Sequence, residues 1–377
     1  MDQEQKVPPG GEPGGTRVRD RRRTLVIAGI AAGCVLLLGA GAGGYAYWRL
    51  DHNIEGVDID RALGTDRPVP RAAVTAPIDE GPSGPLNLLV LGSDSRTGKE
   101  NKELGGGAEG GARSDTAMIV HLNAAHTEAT VVSIPRDTLV DRPSCPEEDG
   151  GKTSPAQNAM FNSAFALGGP ACAIKTVEKL TDIRMDHYVE VDFAGFADLV
   201  DAIGGVTVTT TEDIDDEKSR LRLDAGTHTL DGEQALAFAR TRHGIGDESD
   251  LGRIGLQQQL VKALVGQVRN TELLSDPVKL YSIADALTES LTTDTGLDSL
   301  GELRGLASSL EGLAPEDVTT VMMPVVQAPW NRNRVIADEP EAKELWKALK
   351  DDEPVPASSD EPSPTPSKPS IKPLPTA

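Results

Sequence analysis

From Thr24 to Trp48 the chain runs 25 residues without a charged side chain, TLVIAGIAAGCVLLLGAGAGGYAYW. A helix needs about 20 predominantly apolar residues to cross the hydrocarbon core of a bilayer. Arg17, Arg19, Arg21, Arg22 and Arg23 stand directly before the run. Positive charge beside a span stays on the cytoplasmic side. The pattern therefore predicts a cytoplasmic basic arm at 1–23, one transmembrane helix at 24–48, and the remainder outside the membrane. Tyr45, Tyr47 and Trp48 fit the outer interface, where amphipathic rings collect. The competing reading is a cleaved secretory leader, since Ala40-Gly41-Ala42 has the small residues of a cleavage site. Against it, the apolar run exceeds the roughly 7–15 residues of a leader core.

The formal net charge is −22, and the first 23 residues contribute +2, so the outward part carries −24. A balance this acidic excludes grip on nucleic acid, which needs a basic face. It also means that an anionic ligand requires a cation or a local basic pocket. Three cysteines are too few for a disulfide scaffold, and no Cys-x-x-Cys pair exists to suggest a zinc ribbon. Cys34 lies in the apolar run, while Cys145 and Cys172 lie outside, where thiols commonly pair. A Cys145–Cys172 disulfide is expected, closing the polar loop 143–153; two free thiols are the alternative.

Residues 49–84 read as an extracytoplasmic linker with room for one short strand. Residues 351–377 hold eight prolines and five serines and read as a disordered tail. Between them, 85–350 reads as one domain. The apolar runs 86–91, 117–122 and 130–134 predict strands, the last two joined by a hairpin at 123–128. Ser154-Pro155 resembles a helix start, with Gly168-Gly169 ending that helix before a second one at 171–180. Strands at 187–191, 206–210 and 318–323 alternate with helices at 193–203, 232–239, 254–268 and 277–291. Strands alternating with helices predict an α/β layered fold.

Four polar clusters abut the ends of these elements. Gly92-Ser93-Asp94-Ser95-Arg96 follows the first strand, Arg113-Ser114-Asp115-Thr116 precedes the second, and Pro135-Arg136-Asp137 follows the third. The fourth is Arg240-Thr241-Arg242, followed by Asp250, Arg253 and Gln257. Open α/β sheets build binding crevices at strand ends. Asp94 and Asp115 are hard oxygen donors of the kind Mg²⁺ takes alongside substrate phosphates. Arg113, Arg136, Arg240, Arg242 and Arg253 are planar donor forks suited to phosphate oxygens. A pyrophosphate with its metal explains both sets. The bland reading of each cluster is a turn or a solvated face with local ion pairs. No Gly-x-Ser-x-Gly elbow, Walker loop or zinc-type histidine pair competes.

The strings LGSDSRTG, RSDTAMIVHLN, SIPRDTLV, VDFAGFADLVDAIGGVTV, LDGEQALAFARTR and DLGRIGLQQQ occur in that order between Leu86 and Arg269, about half the chain. Together they resemble the LytR-CpsA-Psr family of cell-envelope proteins. The resemblance implies a three-layer α-β-α domain with a mixed central sheet, preceded by one transmembrane helix. It implies an extracytoplasmic phosphotransferase that moves an anionic glycopolymer (teichoic-acid-like, capsular or arabinogalactan-type) from a polyprenyl-pyrophosphate carrier onto peptidoglycan. By the same resemblance Asp94 and Asp115 match the Mg²⁺-binding aspartates, with Mn²⁺ a possible substitute. Arg96, Arg113, Arg136, Arg240, Arg242, Arg253 and Gln257 match pyrophosphate-binding positions. Arg136, Asp137 and Asp250 are the candidate catalytic residues. Phe193, Phe196, Leu199, Val200 and Ile203 are candidates to line a lipid tunnel, with plain core the competing role.

The resemblance leaves alternatives with the same residues: a polyprenyl-pyrophosphate phosphatase, or a non-enzymatic envelope regulator of the transcriptional-attenuator type. The Gly-rich stretch Thr97–Ala112, between Asp94 and Asp115, reads as a lid or as a tolerated loop.

Overall fold

Leu86–Ser93 carries the apolar run Leu88–Leu91 on both of its faces, as a strand covered on both sides must. It lies at the centre of the protein. The computed structural model describes residues 41–65, 67–69, 84–93, 114–146, 151–241, 250–268 and 276–355. The chain divides into two units, Met1–His52 and Asn53–Ala377. In the first, residues 41–52 are helical and Tyr45, Tyr47 and Trp48 are exposed. Most of the expected span, 24–40, lies outside the described residues. Among the described residues no helix is long and apolar enough to cross a membrane.

In the second unit the strands are β1 (Glu55–Val57), β2 (Leu86–Ser93), β3 (Ser114–Leu122), β4 (Ala129–Ile134), β5 (Leu139–Arg142), β6 (Ala156–Met160), β7 (His187–Asp192) and β8 (Val206–Thr210). They continue with β9 (Ile214–Asp216), β10 (Leu221–Leu223), β11 (Gly226–Leu230), β12 (Leu291–Asp294), β13 (Val318–Met322), β14 (Val325–Ala328) and β15 (Asn331–Ala337). The helices are α1 (Ile59–Leu63), α2 (Asn162–Thr181), α3 (Phe193–Ala202), α4 (Gly232–Arg240), α5 (Asp250–Val268), α6 (Pro277–Ser290), α7 (Leu300–Leu310) and α8 (Glu339–Asp351).

One mixed sheet runs in the order β1-β12-β7-β2-β3-β4-β13, and β5–β6, β8–β11, β9–β10 and β14–β15 form small antiparallel pairs. Side chains alternate across a strand with period two. On β3, Ala117 and Ile119 join Leu89, Leu91, Val132 and Ile134 in a core covered by α2 and α8. Met118 and Leu122 join Val131 and Val318 on the other face, against Val261 and Val265 of α5. Helices thus cover both faces, which makes the three α-β-α layers. A further apolar cluster joins α3, α4 and α5 to β8 and β11. Gly232 permits the contact between α4 and α3, because a Cβ there would overlap the Ala197 carbonyl.

Three sequence expectations need correction. Ser154-Pro155 starts no helix; the next residues pair with β5 as β6, and α2 begins at Asn162. Pairing across the chain outweighs the local capping signal there. Gly168 and Gly169 do break the helix, as a kink of non-helical backbone that Pro170 follows. The 49–84 stretch is more than a linker. β1 pairs in parallel with β12 at the edge of the main sheet, and Ile59 and Leu63 of α1 are core residues. Beyond them, Arg67 donates to both carboxylate oxygens of Glu178 on α2, at 2.7–3.2 Å, and to the Met185 carbonyl. The folded body therefore begins well before residue 85. At the C-terminal end, α7, the β14–β15 hairpin and α8 form where the sequence reading placed only a late strand. Of the tail, 356–377 lie outside the described residues.

Cys145 and Cys172 form a disulfide across 27 residues, both sulfurs buried beside Ala164. The loop it closes is also held by the Cys145 and Thr153 N–H groups, which donate to Thr153 Oγ1 and the Cys145 carbonyl respectively. In the chain-entropy model a loop of this length contributes about 3.5 kcal/mol. The Cys145→Ala/Cys172→Ala double variant should melt well below the native protein. Equal melting temperatures would show that the bridge contributes nothing.

His187, at the start of β7, bonds through Nδ1 to Asp294 at 3.2 Å, and Asp294 also accepts from the Tyr188 and Gly296 N–H groups. Burial opposes the charged imidazole, but the hydrogen bond and charge of Asp294, with Asp186 and Glu302, outweigh it and raise His187 above 6.5. Burial likewise opposes the Asp294 carboxylate, yet His187 and the two N–H groups hold it below 3.8. The raised histidine stabilises the fold fully below its unfolded value and loses that contribution as pH climbs through the raised one. The lowered carboxyl stabilises above its unfolded value and loses the contribution as pH falls through the lowered one. The pair therefore supports the fold best from about pH 4 to about pH 6.5. His187→Gln should flatten the decline in melting temperature above that window, and an identical pH slope in the variant would remove the pair as its cause.

Candidate functional site

The C-terminal ends of β2, β7, β4 and β13 and the N-terminal end of β3 share one edge of the sheet, because β2 runs parallel to β7, antiparallel to β3, and β4 parallel to β13. Gly92 pairs with Thr116, and Ser93 pairs with both Ser114 and Asp192. The pairing steps from Thr116 to Ser114 and so passes over Asp115, an irregularity at the strand end. Such irregularities interrupt a ladder and commonly border functional sites. A Cβ at Gly92 would lie 3.3 Å from Thr116 Cβ and 3.8 Å from the Phe193 ring. Glycine therefore lets both neighbours close on this strand end.

Past β4, the turn Pro135-Arg136-Asp137 is fixed by its own backbone. Thr138 donates its N–H and hydroxyl to the Pro135 carbonyl, and the Arg136 carbonyl accepts from the Asn162 N–H at the start of α2. Arg136 Nε lies 3.8 Å from Asp137 Oδ2. On its other oxygen Asp137 faces Arg334 Nη1 of β15 at 3.5 Å. Asp137 thus stands between two guanidiniums. Sequence reasoning missed Arg334, since no local motif marks it and 198 residues of chain separate it from Arg136.

From the β7 side, Asp192 caps α3 by accepting the Gly195 N–H, which presents Phe193 at the helix start. Arg240, in the last turn of α4, places its guanidinium carbon 5.2 Å from the centre of the Phe193 ring. Such a stack is worth about 0.5–1 kcal/mol and holds the planar fork in orientation. Gln257 of α5 is buried, and its amide nitrogen donates to Thr116 Oγ1 at 3.0 Å and to the Ala239 carbonyl at 2.9 Å. Both donors are spent inside the protein. In this structure Gln257 braces β3 against the end of α4.

The structure therefore brings Arg136, Asp137, Arg240 and Gln257 to one end of the sheet. Asp94, Arg96, Arg113 and Arg242 lie outside the described residues. Asp115 belongs to β3 and Asp250 and Arg253 to the first turn of α5, but their side chains also lie outside what is described. The expected Mg²⁺ can be tested against the backbone. Asp94 follows Ser93, and Asp115 sits between Ser114 and Thr116, the partners of Ser93 and Gly92. Two carboxylates next to these strand ends, in a site with arginines, are the type of donor set that Mg²⁺ accepts. The Ser93 hydroxyl, buried at the same end, has no hydrogen-bond partner among the described residues. The chain's residues fit the ion. Among the lipid-tunnel candidates, Val200 and Ile203 are fully buried core, while Phe196 and Leu199 are half-buried at the margin of the α3–α4–α5 cluster.

The LytR_cpsA_psr family model matches residues 46–351. The chain is 33% identical over 270 residues to cell wall biosynthesis protein LcpA of Corynebacterium glutamicum, a match covering 64% of this chain and 50% of that protein. It thus spans about half the length of that relative. It is 32% identical over 295 residues to the polyisoprenyl-teichoic acid–peptidoglycan teichoic acid transferase TagT of Bacillus subtilis, covering 75% of this chain and 83% of that one. The solved structure of TagT bound to LI-WTA aligns with a TM-score of 0.55 at 26% identity, over 78% of this chain and 98% of that one. With the family model matched over most of its length and the same mixed sheet at its centre, the chain belongs to the LytR_cpsA_psr family.

Proposed function

We propose that this protein is a membrane-anchored phosphotransferase, held in the cell membrane by a single pass with its N-terminus cytoplasmic and its catalytic domain outside. It attaches an anionic glycopolymer from a polyprenyl-pyrophosphate carrier to peptidoglycan. The observation that carries the reading is that Arg136 after β4 and Arg240 against Phe193 after β7 flank the same end of the sheet at which β2 and β3 lead to Asp94 and Asp115.

Each part of the site has a task in that reaction. Arg136 and Arg240, with Arg113, Arg242 and Arg253, bind the pyrophosphate oxygens. Asp137 keeps Arg136 in place, and Gln257 keeps Thr116 and the end of α4 in place. Mg²⁺ held by Asp94 and Asp115 supplies further charge neutralisation on the phosphates. The acceptor hydroxyl attacks the phosphorus bonded to the glycan, the bond to the polyprenyl phosphate breaks, and that phosphate leaves. Asp137 is engaged by two guanidiniums, so acceptance of the hydroxyl proton is assigned to Asp250. Phe196 and Leu199 take the prenyl chain at the margin of the apolar cluster. The relatives' names support the reading: TagT is called a teichoic acid transferase and LcpA a cell wall biosynthesis protein.

The test uses full-length protein in detergent with Mg²⁺, a polyprenyl-pyrophosphate glycan labelled in the sugar, and peptidoglycan. Label should move onto peptidoglycan and stop moving in EDTA. Release of free phosphorylated sugar without transfer would replace the reading with a phosphatase. Intact lipid across a panel of anionic donors would overturn an enzymatic role.

A further inference from the structure

We propose that the β14–β15 hairpin is the docking surface for the acceptor glycan strand, an inference that rests on the transfer reading above. Trp330, in the hairpin turn, is 62% exposed, an unusual cost for an indole with no apolar cover. On β15, Ile336 pairs with the exposed Val326 of β14, and Arg332 and Arg334 lie in the irregular stretch of the hairpin next to Trp330, where Arg332 is exposed. The opposite face carries Val325 and Ala337, which pack on the α2–α8 core. Between residues 325 and 337 the only charged side chains are these two arginines, in a chain of net charge −22.

The surface is continuous with the site. Thr138, next to Asp137, bridges to Val335, and Arg334 shares Asp137 with Arg136. Its place relative to the donor follows from the sheet. Helix α3 follows β7, with Phe193 at that strand's end, while Arg136 follows β4 and the hairpin follows β13. β7 and β4 are three strand steps apart, roughly 14 Å at about 4.8 Å per step. In phosphoryl transfer the attacking and leaving oxygens lie in line. If the departing polyprenyl phosphate is drawn toward Phe196 and Leu199 of α3, the acceptor hydroxyl arrives from the hairpin side. The surface chemistry suits that acceptor. An indole face takes the C–H face of a sugar ring, and guanidiniums pair with the carboxylates that a peptidoglycan strand bears on its stem peptides.

The experiment compares full-length native protein with Trp330→Ala/Arg332→Ala, both residues exposed and outside the core. Co-sedimentation with purified peptidoglycan should weaken roughly tenfold, and the KM for acceptor strands should rise by about the same factor. Affinity for the polyprenyl-pyrophosphate glycan and the melting temperature should not change. Unaltered sedimentation and acceptor KM, or an equal loss of donor affinity, would overturn the docking surface. The two proposals fail separately. Trp330-dependent sedimentation by a native protein that transfers no label keeps the surface and overturns the transferase. Transfer with an unaltered acceptor KM in the variant does the reverse.

Discussion

Arg136→Ala is expected to lower the turnover of glycan transfer by about 10²–10³-fold, the loss that follows removal of one preorganised donor from a developing oxyanion. The size follows from how completely the residue is positioned. Its turn is fixed by hydrogen bonds to Pro135 and from Asn162, and its guanidinium faces Asp137 at 3.8 Å, with Arg334 on the far side of that carboxylate. A fork held this way loses little freedom when phosphate binds, so most of its interaction is available to the transition state. Arg136→Lys should recover little, because an ammonium cannot reproduce two parallel N–H donors. Single-turnover transfer with saturating donor measures the effect, with a thermal melt to show that the variant is folded. A folded Arg136→Ala protein with native turnover would sink the site assignment.

Arg67→Ala should have the largest effect on stability. Arg67 and Glu178 have side chains 2% and 4% exposed and meet at 2.7 Å. Removing the guanidinium leaves a buried carboxylate that still accepts from the Met185 N–H but has lost its cation. Breaking a buried pair this way costs about 3–5 kcal/mol. That is a large part of the roughly 5–15 kcal/mol by which a domain is stable. The denaturant midpoint should fall accordingly. Replacing both partners, as in Arg67→Met/Glu178→Leu, should restore much of the loss, since a well-packed apolar pair often equals a buried ionic one. An unchanged midpoint in Arg67→Ala would show that the stretch after α1 does not anchor the fold.

Arg67 also shows where sequence reading stopped. It lies in a stretch read as linker, and nothing in its neighbourhood signals burial. Its partner Glu178 is 111 residues away. β1 was equally hidden: Glu55–Val57 is too short for a period-two pattern and is a strand only because β12 lies beside it. The Ser154-Pro155 signal misled for the converse reason, a sound local cap overruled by pairing with β5. Long apolar runs such as Leu86–Leu91 and Thr130–Ile134 read correctly, because strands covered on both faces need that composition whatever surrounds them. The two aspartates and the arginines were legible as types at strand ends. Gln257 was legible as a polar residue near the site, but its contacts were not, since they depend on the Thr116 hydroxyl and the Ala239 carbonyl meeting its amide.

By itself, the sequence determined the elements whose driving force is local: the charge-free run after an arginine cluster, the central strands, most helices, and the polar residues that punctuate them. Family membership was readable for the same reason, since the motifs are short and contiguous. Tertiary structure alone decided which of those residues meet. Asp137 lies between Arg136 and Arg334, Arg240 stacks on Phe193, and Thr138 is tied to Val335, each through contacts between segments far apart in the chain. Such contacts form only once the sheet order brings the segments together, and no local propensity encodes that order.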